Sequence, residues 1–162
     1  MKNWAAVLSI ALASSSAPAA AQDTDPEPYV LAFCGLREAD GGAGRIHLLS
    51  PSLAGAIQEA MAKTAKLQAE RPDEKPPLGD GVPYQSRSDS APACGSGAVT
   101  EDNGAVIAET VYSFPDQPDA GWTDRLVLIE GEGGVYLIDD IRYGAEGDED
   151  TLRHALEQAF DE

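Results

Sequence analysis

The sequence predicts an α+β fold in which N-terminal helices pack on a curved, mostly antiparallel four-stranded sheet and a short C-terminal helix ends the chain. Three observations lead there. Asp25-Pro26 and Ser50-Pro51 are helix-start signals, each an oxygen-bearing cap followed by a proline where no N–H is needed. After Pro92 the apolar residues fall into strand-length runs separated by turn-forming residues. Trp122 to Tyr143 reads as two strands, 122–130 and 135–143, around Gly131-Glu132-Gly133-Gly134, and each strand is apolar on most of both faces. Such a hairpin cannot stand in water alone and requires a helix or sheet against it.

In chain order, Lys2, the apolar run Trp4 to Ala13 and the small residues up to Ala21 form the three-part pattern of a secretory signal. Cleavage after Ala21 would leave residues 22–162 as one domain, periplasmic or secreted. The apolar run is far shorter than the roughly 20 residues that span a bilayer, so membrane insertion is not expected. Leu31-Ala32-Phe33-Cys34 superficially resembles a lipid-attachment box. It fails because Phe33 is bulky beside the cysteine and Asp23, Asp25 and Glu27 separate it from the apolar run.

The first helix is expected from Asp25 to about Arg37, turning Val30, Phe33 and Cys34 to one side. Gly41, Gly42 and Gly44 then make a flexible joint. No strand leads in and no Lys or Ser/Thr signature follows, so a phosphate cradle is not indicated. In the second helix, 50–70, Leu53, Ile57, Ala60, Thr64 and Leu67 recur at steps of four and three and define the buried face, with Lys63 and Lys66 toward solvent. Residues 71–92 are rich in proline, glycine, serine and charge and read as a long surface loop, docked through Val82, Pro83 and Tyr84. Long loops inside compact domains tend to be functional or disordered.

Ala93–Thr100 and Ala105–Phe114 read as strands around a turn containing Asn103-Gly104, a pair that favours tight hairpins. In the last strand the apolar phase slips between Ile138 and Ile141, with Asp139-Asp140 at the change. A β-bulge there would bring Tyr136, Ile138, Ile141 and Tyr143 to one concave side, whereas a strand buried on both faces would need none; the bulge is favoured. Thr151 then opens a final helix carrying Leu152, Leu156 and Phe160, and Asp148-Glu149-Asp150 complement its dipole without any need for calcium.

A formal net charge of −17 repels nucleic acid and anionic membranes and leaves either plain solubility or a basic protein partner. Cys34 and Cys94, in a chain bound for an oxidising compartment, predict a disulfide. Closing a loop of about 60 residues is worth roughly 4 kcal/mol in the chain-entropy model. A catalytic thiol would want a nearby histidine or helix terminus, and none is local. Cys34, Cys94, His47 and His154 lack zinc-ligand spacing, so no cofactor is expected.

The order helix, glycine joint, helix, long loop and four-stranded sheet resembles the cone-shaped α+β fold of nuclear transport factor two, ketosteroid isomerase and scytalone dehydratase. The ending from Gly134 to Tyr143 with the trailing Leu152 to Leu156 segment is similar to the closing motif of small exported bacterial domains of unknown function in that superfamily, with Tyr136 where the motif commonly has tryptophan. Leu48-Leu49-Ser50-Pro51-Ser52-Leu53 also looks like their segment opening the second helix. The superfamily hosts enzymes, ligand pockets and interaction modules, and dimers through the open sheet face, so a homodimer is among the partners the resemblance implies.

An isomerase or dehydratase of this fold needs a base facing a polar group inside the cone. Asp40, His47, Asp139 and Asp140 are the candidate bases and Tyr112 or Tyr136 the candidate donors. None carries a reaction-specific spacing. Asp139 and Asp140 point to opposite faces of a regular strand and at a bulge would bind backbone N–H groups. His47 beside an apolar pair reads as a satisfied structural histidine and His154 as exposed, and Ser96 lacks a nucleophile elbow. The leading reading is therefore a non-catalytic exported binding module for a small apolar ligand, lined by Phe33, Tyr112, Leu128, Tyr136 and Ile138. The same residues would equally serve as plain core. The other reading is a periplasmic inhibitor or immunity protein using the acidic surface and the 71–92 loop.

Overall fold

The computed structural model describes residues 25–37, 39–144 and 150–161, with only the backbone for 39–43. The expected signal segment and Asp148-Glu149 lie outside the described residues. Three helices, α1 (Glu27–Gly35), α2 (Pro51–Glu70) and α3 (Leu152–Gln158), accompany four strands, β1 (Ala93–Asp102), β2 (Ala105–Ser113), β3 (Trp122–Glu130) and β4 (Tyr136–Arg142). The strands form one antiparallel sheet in the order β1-β2-β3-β4. This is the expected α+β class.

Each helix start has a local cause. Ser50 caps α2 by accepting the Leu53 N–H at 3.0 Å, and Thr151 caps α3 by accepting the His154 N–H. At α1 the Asp25 carboxylate accepts the Glu27 N–H, and the helix ends two residues before Arg37. Along α2, Leu53, Ile57, Ala60 and Thr64 of the predicted stripe are buried and Leu67 is half-buried, while Lys63 and Lys66 are exposed. Val30 and Phe33 of α1, Leu53, Ile57 and Ala60 of α2, and Leu152 and Leu156 of α3 meet Ala108, Leu126, Leu128, Ile138 and Ile141 of the sheet in one apolar core. A second, smaller cluster of Ala91, Tyr112 and Trp122 is packed by Cys94 and Phe114.

The β2–β3–β4 register explains the phase slip. Val127 pairs with Asp140 and Leu128 with Ile138, so Asp139 is the extra residue of a β-bulge. Ile138 and Ile141 are thereby both fully buried in the same core, against which Tyr136 and Tyr143 also pack. A second bulge in β1, between Ser96 and Val99, has no such sequence signature. There the Glu109 carboxylate accepts the Ala98 N–H, and a side chain at Gly97 would lie 2.7 Å from that carboxylate. The hairpin turn at Asn103-Gly104 has positive φ at both residues, 50° and 83°, as a two-residue hairpin turn demands.

The glycine joint differs from expectation. Residues 39–48 form a 3-10 stretch, because its far end is held: Arg45 Nε donates to the Phe33 carbonyl at 3.2 Å, and Gly44 lies so close to Leu36 that an added Cβ would meet it at 3.3 Å. The 71–92 segment has no helix or strand and docks through Tyr84 and Val82 as expected, with Leu78 and Ala91 as further buried anchors.

Cys34 and Cys94 form a disulfide that ties α1 to the first strand, with Cα atoms 5.6 Å apart. A disulfide fits an oxidising extracellular compartment. Among the described residues no helix is long and apolar enough to cross a membrane. Replacing both cysteines with serine should lower unfolding free energy by about 4 kcal/mol, the chain-entropy value for a loop of this size. Urea titration of parent and variant checks it; equal midpoints would show that the tether adds nothing to the fold.

Candidate functional site

The structure places four of the five residues expected to line a pocket in one packed region. Phe33, Leu128 and Ile138 are buried in the main core, and Tyr136 packs against it, edge-on to Tyr29 at 5.6 Å. Tyr112 is elsewhere, in the second cluster, stacked on Trp122 with ring centroids 4.6 Å apart.

Of the candidate bases, Asp139 and Asp140 are engaged structurally. Asp139 accepts from Ser50 Oγ at 2.5 Å and from Arg153 Nη2 at 3.0 Å. Asp140 accepts the N–H groups of Ile141 and Arg153, the backbone role foreseen for a bulge carboxylate. His154 is exposed, as expected. His47 is exposed rather than a satisfied interior histidine, because the 3-10 stretch turns Arg45, two residues earlier, to the inside. The side chain of Asp40 lies outside the described residues.

Open space lies at other places. One groove of about 420 Å³ runs between α2 and α3, where the Lys63 ammonium sits 4.0 Å from the Phe160 ring centroid. A larger cleft of about 620 Å³ lies between the 80–90 segment and the end of α1 with its following 3-10 stretch. Arg37, Arg45 and Arg87 all line it, in a chain with 11 lysines and arginines against 28 acids.

Each arginine rests on an aromatic ring. The Arg45 guanidinium lies 4.2 Å from the Phe33 ring centroid and 5.1 Å from that of Tyr84, Arg37 lies 6.0 Å from Tyr112, and Arg87 lies 5.6 Å from Trp122. Stacking holds a guanidinium by its face and leaves its in-plane N–H donors for other partners. Arg45 is only 3 % exposed, and its Nη2 has no hydrogen-bond partner. Burial pulls its pKa below the ordinary arginine value, and the neighbouring charge of Arg37 acts in the same direction. Of the acids, Asp80 reaches the lip of the cleft and is paired with Lys75 at 2.6 Å.

The loop above the cleft is pinned from beneath. Asp124 on β3 is fully buried, and its two oxygens accept the N–H groups of Ser86 and Gly144 at 2.9 and 3.0 Å. Tyr143 donates its hydroxyl hydrogen to the Pro83 carbonyl, and the Gln85 amide donates to the carbonyls of Arg87 and Asp89. Sequence reasoning assigned no role to Asp124 or to the three arginines. The available signal was Arg45 at the end of a glycine-rich run, a cation where a merely flexible joint would need none. No protein-family model matches the chain, and comparison with curated proteins and with solved structures gave no match in either.

Asp124→Asn should cost about 2–3 kcal/mol, since an amide nitrogen would face a backbone donor inside the core. Proteolysis in the 80–90 segment should quicken in that variant; an unchanged cleavage rate would show that the loop is held by its apolar anchors instead. Burial, and next the charge of Asp124, push the Tyr112 hydroxyl up to about 12. The unfolded chain ionises this group near pH 10 while the folded chain keeps the proton, so stability is complete below pH 10 and falls above it. The loss from Tyr112 alone should reach about 1.4 kcal/mol by about pH 11. Tyr112→Phe should remove that slope at little cost at neutral pH, because the hydroxyl has no hydrogen-bond partner. Urea midpoints at the two pH values decide it, and an equal alkaline loss in both proteins would assign the slope elsewhere.

Proposed function

We propose that this chain is an exported, non-catalytic binding module whose ligand occupies the cleft beneath the 80–90 segment. The observation that carries the reading is the built roof of that cleft: a segment without helix or strand, held over about 620 Å³ of space by Asp124, Tyr143 and the buried Tyr84. A concavity with a few fixed polar groups is what small-ligand sites require. Binding rather than turnover is supported by Asp139 and Asp140, which anchor helices and face no cleft among those described above. Export after cleavage at Ala21 is supported by the disulfide. We further propose that the domain belongs to the cone-shaped superfamily it resembles; the element order and the bulged final strand support this.

A second reading, an inhibitor or immunity protein for a basic partner, draws on the net charge of −17. Binding of that kind would weaken steeply with salt. Native mass spectrometry of protein recovered from its own exported fraction tests both. The expected spectrum shows a chain beginning at Gln22 with a non-peptide mass attached, and removal of that mass speeds amide exchange across 80–91. A co-purifying polypeptide that leaves with added salt would transfer the function to the acidic surface. A bare chain whose exchange is unchanged by small-molecule extract of the same compartment would sink the cleft reading.

A further inference from the structure

We propose that the cleft is an anion site, in which a carboxylate or phosphate group of a small molecule seats between Arg45 and Arg87, with Arg37 adding positive charge to the wall. The inference rests on the binding-module reading and specifies its ligand class. Two independent observations point to it. Three of the chain's guanidinium groups converge on one concavity, although acids outnumber cations 28 to 11 over the whole chain. Random placement on such a surface would bring acids to the same place, yet among the described residues lining the cleft the one acid is Asp80 at the lip, which is paired with Lys75. Separately, Arg45 is a buried cation whose one hydrogen bond is from Nε to the Phe33 carbonyl, and whose Nη2 is left without a partner.

A buried charge without a counter-ion costs several kcal/mol, and an apolar residue of similar shape is commonly as stable or more so. The bond to the Phe33 carbonyl and the two rings hold Arg45 in place, but they leave its charge and its Nη2 uncompensated. An oxyanion compensates both, because a planar guanidinium offers paired donors that match the oxygens of a carboxylate or phosphate. The rings fix the direction of approach: Phe33 and Tyr84 flank the Arg45 guanidinium, so an anion meets the donor edge of the fork. Arg87 is exposed, and its Nη1 reaches the Ala120 carbonyl at a long 3.4 Å, so it can turn to close over a bound group. Ser86, Ser88 and Ser90 bring hydroxyl groups to the same rim. Access to Arg45 requires the 80–90 segment to shift, which places the Asp124 and Tyr143 contacts in the path of entry.

The test is calorimetric titration of the full domain with inorganic phosphate and with citrate, at constant ionic strength set by sodium chloride, with amide exchange as the second readout. Saturable binding that slows exchange across 81–90 is expected, with Arg87→Gln weakening it about tenfold and Arg45→Met by at least as much. Arg45→Met should melt near the parent temperature, because relief of a buried unpaired charge offsets the lost hydrogen bond to the Phe33 carbonyl. If that variant fails to fold, Arg87→Gln alone decides, since the exposed Arg87 carries no part of the core. Tighter citrate than phosphate assigns a carboxylate ligand, and the reverse a phosphoryl one. Heats indistinguishable from the sodium chloride control, or binding equal in parent and variants, would overturn the anion site. Protection of 81–90 by a neutral co-purified molecule without any anion response would overturn it as well, while leaving the binding-module reading intact.

Discussion

One extra residue in the last strand governs where the helices meet the sheet. Asp139 has no partner on β3, so the strand bends and Ile138 and Ile141 come to the same face. The displaced carboxylate then reaches Ser50, which is also the N-cap of α2, and Arg153, in the first turn of α3. Backbone groups reinforce the junction: the Ser50 N–H donates to the Ile138 carbonyl at 2.8 Å, and Arg153 Nε donates to the Asp139 carbonyl. A regular strand would have sent the apolar pair to opposite faces and left both helix starts without this shared anchor.

The same economy of buried polar groups appears at the opposite end of the core. Asp124 lies on the inner face of β3, in a row with Leu126 and Leu128, and a carboxylate buried there is tolerable only when its oxygens are satisfied. The donors come from Ser86 in the long loop and Gly144 after β4, so a single side chain ties the loop to the sheet. Arg45 is the counter-example. Its position is set by one hydrogen bond and two aromatic faces, with no carboxylate paired to it among the described residues. Within one domain, one buried ion is satisfied by the fold and the other, among the described residues, is not.

Aromatic stacking links the cleft to the rest of the molecule. Arg37 and Arg87 rest on Tyr112 and Trp122, which are themselves stacked and belong to the cluster beside the Cys34–Cys94 disulfide. Tyr112, expected from the sequence to line an apolar pocket, thus serves as a base on which a cation stands. The apolar residues expected to wall a ligand, Phe33, Leu128 and Ile138, lie packed in the core, and Phe33 contributes to the cleft through its carbonyl and ring face to Arg45.

The sequence by itself determined the class of fold, the order of its elements, the buried stripe of α2, the bulge at Asp139 and the pairing of Cys34 with Cys94. These are local or pairwise properties: a helical period, a proline after a cap, a slip of alternation, two cysteines in an oxidising setting. Only the tertiary structure decided the candidate site. Arg37 and Arg45 are close in the chain, but Arg87 and Asp124 lie far from them and from each other, so no short window of sequence contains all four. The β1 bulge at Gly97 and the exposed side of His47 were hidden for the same reason, since each depends on a neighbour across the fold, Glu109 in one case and the inward turn of Arg45 in the other. Charge told the opposite story when summed along the chain, because net charge averages over a surface and a cleft is defined by the few groups that folding brings to one point.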